Sequence, residues 1–133
     1  MQEEIIKSSD SINDQIHEKL KDYNRNFMKE LNDYSYHIEL DGKTIAGIVA
    51  GSTYDTLEID YLFVDEEYRR NGLGTKLMKH VEDLAKSNGI KTILVNTYSF
   101  QAPEFYKKLG YKEMFVVDPC YKDYKQYFFI KKL

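Results

Sequence analysis

The sequence predicts a single α+β domain over residues 1–133, built on a mixed β-sheet. Three observations carry the prediction. Apolar residues recur at helical spacing up to Phe27, then switch to period-two alternation from Tyr34 onward. A strand, a helix and a second strand follow one another through residues 56–97, the order that a right-handed crossover between parallel strands requires. A chain of 133 residues with 42% hydrophobic content supplies one core and leaves little room for a second.

Taken in order, "EEIIK" at residues 3–7 reads as a short strand. Ser9 is placed to cap a helix whose stripe is Ile12, Ile16, Leu20, Tyr23 and Phe27. "SYHIEL" and "TIAGIVAG" are β-rich runs separated by Asp41-Gly42-Lys43, where Asp-Gly supplies the positive φ of a tight hairpin turn. "TLEIDYLFV" alternates, with Leu57, Ile59, Tyr61 and Phe63 expected on one face and Glu58, Asp60, Leu62 and Val64 on the other.

Leu73, Leu77, Met78, Val81, Leu84 and Ala85 form the apolar side of a helix, with Lys76, Lys79, Glu82, Asp83 and Lys86 expected to point away. Asn88-Gly89 stops it. "KTILVNT" is a buried strand, and "APEFYKKLG" is a short helix that admits Pro103 in its first turn and ends at Gly110. "YKEMFVV" and "KQYFFIKKL" are the last strands, around an irregular connection at 118–124.

Composition excludes several functions. The formal net charge of -3 gives no general basic field for nucleic acid. Cys120 is the one cysteine, so no intrachain disulfide framework exists. His17, His37 and His80 show no ligand spacing, and no metal is expected. The N-terminal "MQEEIIKSSD" lacks the basic and apolar regions of a signal peptide, and no apolar run approaches ~20 residues. The expectation is a soluble cytoplasmic protein without a membrane partner.

The most informative stretch is "YRRNGLGTKLMKH" at residues 68–80. A helix N-terminus leaves its first amides unpaired and carries partial positive charge. Gly72 and Gly74 remove side chains that would block those amides, and Arg69 and Arg70 add forked donors suited to phosphate oxygens. A tight turn explains the same glycines equally well when they are taken alone. The spacing matches neither the mononucleotide P-loop nor Gly-x-Gly-x-x-Gly, which disfavours an ATPase or dinucleotide site.

Context decides between turn and anion site. "LFVDEEYRRNGLGTKLM" joins an alternating strand to a long amphipathic helix, and "SFQAPEFYKKLGY" follows on another helix. Together, over roughly residues 44–133, they resemble the GNAT superfamily of N-acetyltransferases. The resemblance implies a three-layer α+β fold, with a central mixed, mostly antiparallel sheet and a splayed parallel strand pair flanked by helices. It implies acetyl-CoA as co-substrate and an amine acceptor, and it leaves a homodimer open with no surface assigned.

Residue by residue, the resemblance places Arg69, Arg70, Asn71, Gly72, Leu73, Gly74 and Thr75 around the CoA pyrophosphate, mainly through backbone amides. It assigns the free backbone groups of Leu62 and Val64 to the acetyl carbonyl and pantetheine arm, since a parted strand pair has polar groups to satisfy. Tyr106 matches the family tyrosine that acts as general acid at the departing thiolate, with aromatic packing as the alternative. Glu58 sits upstream of the arginines much as the base glutamate does in the family's histone-acetylating branch. Asp60 is the second candidate base, and water is the third. Many relatives carry an asparagine where Ser99 stands here, so either Ser99 or Asn96 is the expected CoA contact.

The mechanism implied is direct attack of a primary amine on the thioester within a ternary complex. A ping-pong route through Cys120 lies outside both motifs. Tyr121, Tyr124, Tyr127 and Phe128 are candidates for an acceptor pocket able to hold a cation, or for core and sheet-edge residues. The alternative function is an acyl-CoA-binding sensor or interaction module with weak catalysis.

Overall fold

A computed structural model describes residues 2–28 and 31–133. Helix α1 spans Asp10–Asn24, capped by the Ser9 hydroxyl, which accepts from the Ile12 amide. The strands β1 (Leu31–Asp33), β2 (Tyr36–Leu40), β3 (Lys43–Thr53) and β4 (Thr56–Val64) follow. After a single 3₁₀ turn at Glu66–Tyr68 come α2 (Leu73–Ser87), β5 (Thr92–Tyr98), α3 (Pro103–Lys108), β6 (Lys112–Tyr121) and β7 (Tyr124–Lys132). The seven strands form one mixed sheet in the order β1-β3-β4-β5-β7-β6, with β2 also paired to β3. Among the described residues only β4 and β5 run parallel, and the other pairings are antiparallel.

The hairpin at Asp41-Gly42 forms as expected, with φ of 51° and 75° at its two turn residues. Three expectations need correction. Residues 3–7 make no strand and have no ladder partner. The three-residue β1, too short for any alternation to be visible, adds a strand beside the end of β3. The expected irregular connection at 118–124 is mostly strand: β6 continues to Tyr121 through a register irregularity after Val117, and turns at Lys122, where φ is 51°.

A further correction concerns the faces of β4. Val49 pairs with Tyr61 and Ala50 with Ile59, so Asp60 is an extra residue with no partner on β3. The bulge reverses the alternation. Leu57 and Ile59 are buried before it, whereas after it Leu62 and Val64 pack on the core and Tyr61 and Phe63 are exposed.

α2 and α3 share one face of the sheet. Leu77, Met78, Val81 and Ala85 of α2 and Tyr106 of α3 close over Ile48, Leu57, Ile59, Ile93, Val95 and Phe129. Tyr106 lies against Phe129 and Tyr111, at ring centroid distances of 6.1 and 5.8 Å. Glu82 does not point away as expected. It accepts from the Tyr111 hydroxyl at 2.7 Å and pairs with Lys131 at 3.2 Å, and Lys131 also donates to the Leu109 carbonyl. These bonds tie α2, the end of α3 and β7 together at a site where water is largely excluded.

Removing the acceptor strands a buried phenol and an ammonium. Glu82→Ala is therefore expected to lower unfolding free energy by on the order of 2 kcal/mol, and Glu82→Gln, which keeps an acceptor, by less. Urea denaturation of the two variants against wild type measures the difference.

Candidate active site

The parallel ladder between β4 and β5 ends at Ile59 and Val95. Beyond that point β4 continues to Val64 along β3 and β5 continues to Tyr98 along β7, with no pairing between the two. Between them lies a cleft of about 700 Å³, a size ordinary for a small-molecule site. Leu62 and Val64 line one wall, Val95 and Asn96 the other, and the N-terminus of α2 closes one end.

That end is built by backbone geometry. Arg70 and Gly72 both take positive φ, 66° and 77°, which turns the chain sharply into α2. Gly72 is the N-cap and offers no side chain, so the first amides of the helix stay open to the cleft. A Cβ on Gly72 would meet nothing within 4 Å. Gly74 has another reason to be glycine: its Cβ would come within 3.3 Å of the Phe105 ring. Helix packing is therefore a second demand on Gly74, beside its place in the cleft lining.

Arg69 is fixed on two sides. Its Nε donates to the Val64 carbonyl at 2.8 Å, and its guanidinium lies 5.3 Å from the centroid of the Phe63 ring. Asn71 spends its amide on the Tyr68 and Arg69 carbonyls and stabilises the turn. Arg69, Arg70, Gly72, Leu73, Gly74 and Thr75 line the cleft, whereas Asn71 does not.

The remaining candidates separate clearly. Asp60 lines the cleft because the bulge releases it from the ladder. Glu58 stays in the ladder opposite Gly51 and Leu94 and lies outside the cleft. Asn96 is in the wall, its Oδ1 accepting from Gln126 at 3.1 Å. Ser99 is not; its hydroxyl accepts from the Lys125 amide and holds the end of β5 to β7. Cys120 sits in β6, away from the cleft.

Tyr106 reaches the cleft from below and is 5% exposed. Burial pushes its phenol up to about 12, so it stays protonated at neutral pH and can donate a hydrogen bond. Sequence reasoning missed Tyr61, Tyr68, Phe100 and Gln101 in the lining. Phe100 stacks on Tyr98 and meets Tyr124 edge-on, at 5.4 and 4.9 Å. Of the four C-terminal aromatics singled out, Tyr124 approaches the cleft only through Phe100, and Tyr127 stacks with core Phe129. Among the described residues no group of His, Cys, Asp and Glu is placed to hold a metal ion, and no helix is long and apolar enough to cross a membrane.

Comparison with known proteins agrees with this geometry. The model of the acetyltransferase (GNAT) family matches residues 3–111. A blasticidin-S acetyltransferase of Streptomyces morookaense is 36% identical over 72 residues, covering 53% of this chain and 53% of that protein. The chain spans about half the length of the curated relatives it matches. The crystal structure of an acetyltransferase from Bacillus cereus is 34% identical and superposes with a TM-score of 0.85 over 98% of both chains, α1 included. A structure assigned as a streptothricin acetyltransferase from Bacillus anthracis, in complex with acetyl coenzyme A, is 21% identical, with a TM-score of 0.68 over 82% of this chain and 67% of that one. At that identity the likeness is one of fold.

Burial of Tyr106 has a measurable consequence at high pH. In the unfolded chain its phenol ionises near 10, while the folded state resists ionisation up to about 12. Stability is therefore full below pH 10 and falls as pH rises from there toward 12, by on the order of 2 kcal/mol from this group. Tyr111, raised further by burial and by its bond to Glu82, acts in the same direction. Tyr106→Phe should make the fall shallower without abolishing it, as read from denaturation midpoints across that pH range.

Proposed function

The chain belongs to the acetyltransferase (GNAT) family, and we propose that its cleft transfers an acetyl group from acetyl-CoA to a primary amine, of a small molecule or a protein, by direct attack. The observation that carries the reading is the parting of β4 and β5 beside the open N-terminus of α2. The acetyl-CoA complex of one structural neighbour supports the co-substrate.

The open amides of α2 and the guanidinium of Arg70 suit the pyrophosphate, and Arg69, already pinned, adds charge beside it. The edge of β4 beyond Ile59 has no partner on β5, so its backbone groups, apart from the Val64 carbonyl that Arg69 holds, are available to the pantetheine arm and the thioester carbonyl. The amine must arrive neutral. Asp60, the one carboxylate lining the cleft among the described residues, accepts its proton directly or through water. A C–N bond then forms at the thioester carbon as the C–S bond breaks. The attacking nitrogen gives up one N–H proton to water, and the sulfur leaves as CoA thiolate and takes a proton from solvent to become the thiol. Tyr106 donates a hydrogen bond to the departing sulfur, stabilising charge that appears only as that bond cleaves.

Saturating acetyl-CoA is expected to raise the melting temperature, because it binds the folded state alone. Gly72→Glu, which puts bulk and negative charge in front of the α2 amides, should erase that shift. Released CoA over a panel of amines then reports turnover. Tyr106→Phe should keep the thermal shift and lower kcat by on the order of a hundredfold. A shift with no turnover on any amine would instead support an acyl-CoA-binding module, and no shift at all would remove both readings.

A further inference from the structure

One apolar surface of the chain is left without a covering. α1 carries Ile12, Ile16, Leu20 and Tyr23 on a stripe that Phe27 continues, and these side chains are between 45% and 67% exposed. No residue of the helix is buried. On its opposite side Lys21 pairs with Glu18, and Asp22 pairs with Arg25 just past the helix end. A lone helix of this length is marginal in water, and most helical stability in proteins comes from packing an apolar side. The segment belongs to the domain, since the family match begins at residue 3.

The same chain offers a matching surface that α1 does not reach. On the sheet face away from α2, Val49 of β3 lies opposite Tyr61 of β4, and Phe63 lies opposite Gly47. Val49, Tyr61 and Phe63 are all exposed. Gly47 and Gly51 flank Val49 on this face and lower its floor, which lets a helix approach closely. The charges are complementary as well. Glu58 borders the strip, opposite Gly51, and Glu39 stands beside it, bonded to His37. On α1 the helical repeat puts Asp10, Asp14, Glu18 and Asp22 on the side opposite the stripe and Lys19 at its margin.

We propose that two copies of this chain exchange α1, each helix lying across the Val49–Tyr61–Phe63 strip of the other in a symmetric dimer. Reciprocal docking of two such helices buries on the order of 2,000 Å², within the range of stable protein interfaces. Tyr61 and Phe63 also line the cleft. The partner's helix therefore lies along the cleft mouth and walls the side from which an acceptor enters. That last consequence rests on the acetyl-transfer reading; the dimer does not.

The test uses the chain of residues 1–133 carrying Cys120→Ser. Leu20→Cys and Val49→Cys are made as separate proteins, mixed, and oxidised. The expected result is a disulfide-linked dimer on a non-reducing gel that neither protein gives alone. When both substitutions sit in one chain, a cross-linked species of monomer mass would mean that α1 folds onto its own sheet, and would overturn the exchange. A wild-type protein that sediments as a monomer across micromolar concentrations would overturn it too, as would a dimer that the cysteine pair fails to trap.

Ile16→Glu with Leu20→Glu should weaken dimerisation at least tenfold while the thermal shift with acetyl-CoA persists. The same variant should raise KM for an accepted amine and leave KM for acetyl-CoA unchanged. Should no amine be acetylated, the cross-link and sedimentation still decide the dimer by themselves.

Discussion

The unpaired stretch of β4 is the constraint on which the rest of the molecule depends. One extra residue, Asp60, interrupts the β3–β4 ladder at the point where the parallel ladder to β5 stops. From there β4 can remain strand only by keeping its bonds to β3, and its other edge is left to a ligand or to water. The reversal of faces at the bulge brings Leu62 and Val64 onto the core side and turns Tyr61 and Phe63 outward. The bulge and the end of the parallel ladder thus fall at the same place, and the helix N-terminus faces the gap.

Core and cleft share side chains, so stability and chemistry are not separable here. Tyr106 packs against Phe129 and Tyr111 and also presents its ring to the cleft. Phe105 seats the first turn of α2 against Gly74. A change made to tune the cleft from α3 therefore disturbs the packing that holds α2 in place, an arrangement in which function limits how well the core can be optimised.

Most of the fold was legible because it rests on local periodicity. The stripe of α2, the alternation at Leu57–Ile59, the Asp41-Gly42 turn and the Asn88-Gly89 stop each depend on neighbours a few residues apart. What escaped depends on pairing between distant residues. The bulge at Asp60 is visible only against Val49 and Ala50, and so the preference for Glu58 over Asp60 could not be decided from spacing. Position in the motif left Ser99 and Asn96 both open as ligand contacts; the Ser99 hydroxyl accepts from the β7 backbone, while Asn96 stands in the cleft wall. The N-terminal stripe was read correctly as helical, but a periodic pattern says that a face is apolar without saying which chain covers it.

Arg69 illustrates how little of a binding site has to move. Its guanidinium is held by the Val64 carbonyl and lies over the Phe63 ring before any anion arrives. A long side chain free in solvent loses rotamer entropy when it grips a phosphate, up to about 2 kcal/mol. Here much of that ordering accompanies folding instead. On the acetyl-transfer reading the two arginines would be unequal partners in recognition: Arg69 a fixed feature of the electrostatic landscape, and Arg70 the one with ordering still to lose. Ionic strength would act on both through screening, while the entropy of capture would be carried by the second.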